Sequence, residues 1–474
     1  MKFSLMKGLN TSLKNKFFML ILGLFAISVL LAWWFKGFGL AIGIIFEMYL
    51  IILIIYKPEI AIFLIIIFIF LLKGPFEDVL NLMPREVVWG VDINIVFLFL
   101  RSLLSRPLNT IYIRVLIPLS IFIFWSIISS IVNNINFLTV VLSFKDHLRY
   151  VFLSFAIANV VYTEFTLKKL VQLFILIGFF QIPVTIYQFS IFGQCDYVSG
   201  TLGRHGTGEL LIVIDSLVLI LFSFSIYFKK TKYVLLIPFF IIPLILGSAR
   251  ASLILMPVTL LFLLFIIPRF RVRAWKSFTL LIFNVGAILF LTFLLFSPVK
   301  MASKEFLIDF NKGIKQQVIS PVVDNKKPGR LISPIIALKW LKEKPGGFLV
   351  GYGFGITKES YFEEYTGKFY SEFSPKANQL STVILEGGIP SLLFYLFIII
   401  LAFKINIEFF KKVEPLYWKS ISFAYFGIII IYLLGITYMN IWRLYYATFP
   451  FWFFLGIISG AEKILLVKNG GKSY

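Results

Sequence analysis

Histidine and cysteine are almost missing from this 474-residue chain, which has two histidines, His147 and His205, and one cysteine, Cys195. A single cysteine excludes a disulfide framework and a cysteine zinc site, and two histidines leave too few ligands for a transition-metal centre. The chemistry is therefore expected to need no metal and no cofactor. Charge is scarce as well. Asp, Glu, Lys and Arg make up 14% of the residues, where a water-covered surface of ordinary polarity needs about a quarter. A soluble fold is excluded.

What the chain has instead is apolar length. Hydrophobic residues make up 59% of it and the mean hydropathy is +0.94. That amounts to about fourteen runs of twenty, the length a helix needs to cross a bilayer. Apolar runs lie at 17–35, 38–56, 59–72, 93–110, 113–132, 145–162, 170–192, 210–228, 233–247, 251–268, 277–297, 380–402, 420–438 and 442–461. Two are weak: Arg101 and Arg106 interrupt one, and another opens on Lys145, Asp146, His147 and Arg149. Either suits an interfacial helix as well as a span. The expected fold is an all-α polytopic membrane bundle of 12–14 transmembrane helices. It divides into an amino-terminal bundle over 1–297, one large extracytoplasmic loop over 298–379 carrying short helices, and carboxy-terminal transmembrane helices over 380–474.

Basic residues outnumber acidic ones by 22. In a soluble protein that surplus points to nucleic acid; here it reads first as topology, with membrane lipids and not nucleic acid as the partner, because Lys and Arg collect in short cytoplasmic loops. Lys2, Lys7, Lys14 and Lys16 precede the first run, which lacks a small-residue cleavage pattern, so a retained first span with a cytoplasmic amino terminus is expected. Alternate loops then carry Lys229, Lys230 and Lys232; Arg269, Arg271, Arg273 and Lys276; and Lys404, Lys411, Lys412 and Lys419, with Lys463, Lys468 and Lys472 in the tail. The opposite short loops hold mostly one base each, Arg204, Arg250 and Arg443. This asymmetry puts the long 298–379 segment outside.

Within that segment, Ser333 and Pro334 read as an N-cap and first helical position. Ile335, Leu338 and Leu341 form a stripe for a membrane or the bundle, with Lys339, Lys342 and Lys344 on other sides. Pro345, Gly346 and Gly347 stop the helix, and GYGFG at 351–355 reads as a flexible turn. Three arginines stand beside helix starts: Arg204 in GTLGRHGTGE, Arg250 in LGSARAS with Ser248 as an N-cap, and Arg330 before the helix at Pro334. A helix start carries unpaired N–H groups and about half a positive charge, so an arginine there is locally unfavourable until an anion arrives. Phosphate satisfies both, and arginine grips it in a planar fork that lysine lacks. The plain alternative is an arginine that snorkels to lipid phosphate or water. If the three converge, they form a diphosphate site on the outer face. Proton acceptors are few. Histidine is a residue type that titrates near neutrality, but a lone one in a glycine-rich loop, as His205 is, is more often simply solvated, and Glu386 inside a span is either a buried structural partner or functional. Glu363, Glu364 and Glu372 lie in an aromatic-rich stretch that fits sugar contact or an interfacial belt.

The order GTLGRHGTGE, GSARASL at the head of a span, an arginine before an amphipathic helix, GYGFG, and ANQLSTVILEGGIPS resembles the O-antigen ligase and O-antigen polymerase family, over residues 195 to 400. The resemblance implies a polytopic glycosyltransferase acting on undecaprenyl-diphosphate-linked oligosaccharide at the outer face of the bacterial inner membrane. It implies that Arg250 and Arg330 hold the donor diphosphate; Arg204, His205, Asn378 and Glu386 are the candidate substrate-binding residues, and a chain-length regulator is a candidate partner. Family ligases carry histidine before the asparagine that matches Asn378; here that position is Ala377. The missing base favours a polymerase. On this reading an acceptor hydroxyl attacks the anomeric carbon with inversion, and the arginines stabilise the departing diphosphate. The rival readings are a ligase transferring glycan to lipid A core, and a lipid-linked glycan transporter or flippase, which should carry charge through both halves of the bundle.

Overall fold

A computed structural model describes residues 38–79, 84–105, 108–193, 195, 197–203, 206–247, 249, 251–266, 275–283, 286, 330–360, 363–373 and 377–468. The expected first span, most of the run at 277–297, and Arg204, His205, Ser248 and Arg250 lie outside them. The described residues contain no strand. Among the described residues, six helices are long and apolar enough to cross a membrane: α4 (Thr110–Val132), α6 (Glu164–Phe192), α7 (Thr207–Phe228), α13 (Gln379–Lys412), α14 (Leu416–Tyr438) and α15 (Phe449–Lys468). This is an all-α membrane protein. Shorter apolar helices join them, α1 (Phe38–Tyr56), α2 (Pro58–Ile67), α8 (Lys232–Leu246) and α9 (Ser252–Ile266), and two one-turn helices, α11 (Gly347–Val350) and α12 (Tyr370–Phe373), precede α13.

The two weak runs prove to be bundle helices. The helix read at 93–110 runs over Arg85–Leu103 (α3) and the one at 145–162 over Phe137–Val160 (α5), and α5 packs between α3 and α15 with most of its length buried. Burial rather than the interface accommodates the charges of α5, because Lys145 and Arg149 meet Asp92 of α3 and Asp146 meets Lys358; Arg106 lies outside the described residues. The last run is displaced: helix α15 starts at Phe449, and residues 441–448 form a largely buried connection that opens with the 3-10 turn Ile441–Arg443. Pro450 sits in the first turn of α15, where its missing N–H costs nothing.

Helices α4 and α13 pack antiparallel, so their charged ends define two ends of the bundle. At one, Arg114 pairs with Glu408 and Lys412 with Glu462, and the Lys229–Lys232 turn lies between α7 and α8. At the other, the segment 330–378 folds over the start of α13.

That segment is held by a break in α13. Pro390 has no N–H to offer Glu386, and Gly388 has φ of 73°, so the helix is interrupted and its carbonyls are freed. Each freed acceptor left unpaired in an apolar bundle costs several kcal/mol, roughly. They are paired: Tyr352 N donates to Leu385 O at 2.8 Å, Gly353 N to Glu386 O at 2.9 Å, Ser129 Oγ to Glu386 O at 2.8 Å and Trp125 Nε1 to Gly387 O at 3.0 Å. GYGFG is therefore no flexible turn. It is a fixed crossing whose backbone repairs the break.

Helix α10 (Ser333–Glu343) also departs from the expected pattern. Ser333 lies in its first turn without capping it, and the buried face is Ser333, Ala337 and Leu341, while Ile335 is 66% exposed. Ala337 and Leu341 pack with Phe373, Ala377, Ile384 and Leu385 in a small apolar cluster. The spacing of four follows from α10 crossing α13, which takes one narrow ridge of α10 rather than the wider stripe at spacing three.

Candidate functional site

Arg330 and Asn378, 48 residues apart, meet at the start of α13. Asn378 is the N-cap: its Oδ1 accepts from Ser381 N at 2.9 Å, and its amide donates to Arg330 O at 2.7 Å and Thr437 O at 2.8 Å. Both amide hydrogens are thus spent on main-chain carbonyls. Ser333 Oγ lies 2.8 Å from Arg330 O and 3.0 Å from Ser381 Oγ, which fixes the Arg330 backbone from a second side. The guanidinium lies 4.5 Å from the ring centroid of Tyr438, the last residue of α14. An arginine stacked on a ring is oriented while its edge donors stay available to an anion. Ala377, in the place of the family histidine, is 3% exposed inside the apolar cluster, so that position supplies no base.

Glu386 lies two turns deeper and is 1% exposed. Its Oε1 accepts from Thr357 Oγ1 at 2.8 Å and from Arg443 Nη2, while Arg443 Nη1 donates to Thr357 O. Of the two roles open to Glu386, the structural one is met: it ties the α14–α15 connection to the 351–358 crossing. Glu363, Glu364 and Glu372 are exposed.

A second group of charges was not weighed as a site from the sequence. On α5, Arg149 donates to both carboxylate oxygens of Asp92, with Nη2–Oδ2 at 2.8 Å. Lys145 reaches Asp92 at 3.4 Å, and Lys358 pairs with Asp146 at 2.6 Å and donates to Leu142 O. Burial pushes the Lys358 amine below its usual value, with the Asp146 carboxylate opposing that shift. His147 Nδ1 is 2.7 Å from Ser143 O and its ring stands edge-on to Trp442. The signal was present: four ionisable residues within five positions of an apolar run mark a pathway or site rather than a poor span.

Arg250, Arg204 and His205 are outside the described residues, so the geometry bears on Arg330, Asn378 and Glu386. Together these define a membrane protein whose charged and aromatic side chains gather at one end of an α-helical bundle. Comparison with known proteins adds no relative: no family model and no curated protein matches the chain.

Proposed function

We propose that the chain is an O-antigen, or surface-polysaccharide, polymerase that joins undecaprenyl-diphosphate-linked repeat units at the periplasmic face of the bacterial inner membrane. The observation that carries this reading is Arg330, whose backbone is clamped by Asn378 and Ser333 and whose guanidinium is stacked on Tyr438 at the end of the bundle away from the Lys412 end. A rigidly held guanidinium at a bundle end suits a diphosphate that enters from the membrane plane. The sequence pattern adds Arg250 and Arg204 to the same anion.

In the reaction, an acceptor sugar hydroxyl attacks the donor's anomeric carbon and a new C–O bond forms with inversion. The bond from that carbon to the diphosphate breaks, the diphosphate leaves with the electron pair, and the proton of the acceptor hydroxyl is released to water. Arg330 and Arg250 meet the charge that grows on it, and one well-placed donor of this kind contributes roughly 3 kcal/mol to the transition state. On this reading the segment that folds over the start of α13, residues 330–378, is the extracytoplasmic cover of this site. A glycan profile of a deletion strain tests the reading. Surface lipid carrying a single repeat is the expected result; polymer accumulating on undecaprenyl diphosphate with none transferred means a ligase instead.

A further inference from the structure

Of the six spanning helices, α7 alone has its whole apolar stretch buried inside the bundle, and it carries an acid in that stretch. Asp215 is 0% exposed, and Leu211, Ile212, Val218 and Leu219, one turn to either side, are buried apolar residues. Its position lies roughly 12 Å along the axis from the start of α7 and roughly 20 Å from the other end, at about 1.5 Å per residue. The short side chain of aspartate cannot carry a charge to either surface across those distances.

One described side chain answers it. Ser252 Oγ, in the first turn of α9, stands 2.5 Å from Oδ1, while Oδ2 is buried and has no hydrogen-bond partner among the described residues. Helices α6, α8, α9, α14 and α15 all pack on α7, and none of them brings a described lysine, arginine, histidine or second carboxyl against Asp215. Glu209, the other acid of α7, accepts from the Tyr445 and Tyr446 amides instead. A hard metal cation needs about six oxygen ligands, but Ser216 beside Asp215 spends its hydroxyl on Ile212 O, and the described residues contain no cluster of metal-ligating side chains. An isolated carboxylate in an apolar interior is so costly that the group takes a proton instead. A hydrogen bond to Ser252 alone needs no acid, since asparagine makes it without the risk of a charge. What the carboxyl adds is the capacity to gain and lose a proton, and an ionisable side chain inside a span marks a functional position.

We propose that Asp215 is a proton-binding site inside the bundle, and that the bound proton, by keeping the carboxyl neutral against Ser252, seats the head of α9 on α7. Loss of the proton leaves a charge that has to draw water in between the two helices. The proposal is independent of glycosyl transfer and of Arg330.

Infrared difference spectra of the full-length protein in nanodiscs at neutral pH test it. A carboxylic-acid C=O band is expected in the wild type, lost in Asp215→Asn and shifted upward in Ser252→Ala, which removes its hydrogen bond. Asp92 and Asp146, both ion-paired, contribute carboxylate bands only. If Asp215→Asn does not fold, wild-type protein grown on carboxyl-labelled 13C-aspartate decides, because the acid band has to move with the label. Loss of a carboxylate band in Asp215→Asn with an unchanged acid region overturns the proposal, as does a labelled protein whose acid band stays in place. An acid band present only in sodium-free buffer means a cation site and overturns it as well.

Discussion

At Asn378 one side chain caps a helix and holds the backbone of the arginine on which the proposed chemistry depends. Asp and Ala separate these tasks. Asn378→Asp keeps the cap acceptor but loses both amide donors and sets a buried carboxylate against the Arg330 and Thr437 carbonyls, so elongation and melting temperature are both expected to fall. Asn378→Ala loses the cap as well and should cost about 1 kcal/mol of stability besides. Equal elongation in wild type and Asn378→Asp, measured by glycan ladder length, removes the positioning role. Arg330→Ala is expected to leave single repeats only. Arg330→Lys retains the charge without the planar fork or the stacking on Tyr438, and is expected to give chains shortened by a reduction of about tenfold or more in elongation rate. The residues themselves were legible in sequence, because arginine beside a helix start is an unusual pairing. Their contacts were not: nothing local says that Asn378 spends its hydrogens on Arg330 O and Thr437 O.

The break in α13 shows how one element organises several others. Gly388 has φ of 73°, and a Cβ there would stand 2.5 Å from Leu349 O. Gly388→Ala therefore meets both backbone strain and a clash, and should destabilise by about 2 kcal/mol or more. A thermal melt within error of wild type counts against this account of the crossing. The second fastening is Lys358 to Asp146. Removing Asp146 takes the carboxylate from the buried Lys358 amine, at a cost of roughly 3 kcal/mol, whereas removing Lys358 leaves Asp146 with Arg149 at 3.6 Å and Lys145 at 3.9 Å and should cost less. The double substitution Lys358→Met with Asp146→Asn should recover much of the larger loss. A double-mutant cycle of melting temperatures measures the coupling, and additive losses mean the pair is not a fastening. Gly and Pro in EGGIPS announced a weak point in the helix. The partner that repairs it, the 351–355 backbone, is 33 or more residues upstream of the break and shares no periodicity with it.

For the whole molecule, the separation of charge sets the orientation. Lys412, Lys463 and the Lys229–Lys232 turn gather at one end, with Arg330, Lys339 and Lys342 at the other. In a Cys195→Ser background, cysteines at positions 230 and 339 should be modified by an impermeant maleimide from opposite sides of sealed membranes, position 339 from outside. Modification of both from one side is incompatible with the proposed topology. Helix α5 shows where a one-dimensional reading fails at this scale: its charges lower its apparent apolarity, yet it lies at the centre of the bundle because Asp92 of α3 and Lys358 of the crossing neutralise them.

The sequence by itself determined the all-α membrane class and the bounds of most of the described helices. Each follows from apolar length or helix punctuation, which act within a few residues. Only the tertiary structure decided that α5 is buried, that GYGFG is fixed by the broken helix, and that Tyr438 carries a cation. Those facts depend on side chains tens to hundreds of residues apart in sequence, whose pairing is set by packing and by the cost of leaving a buried charge or backbone group unanswered.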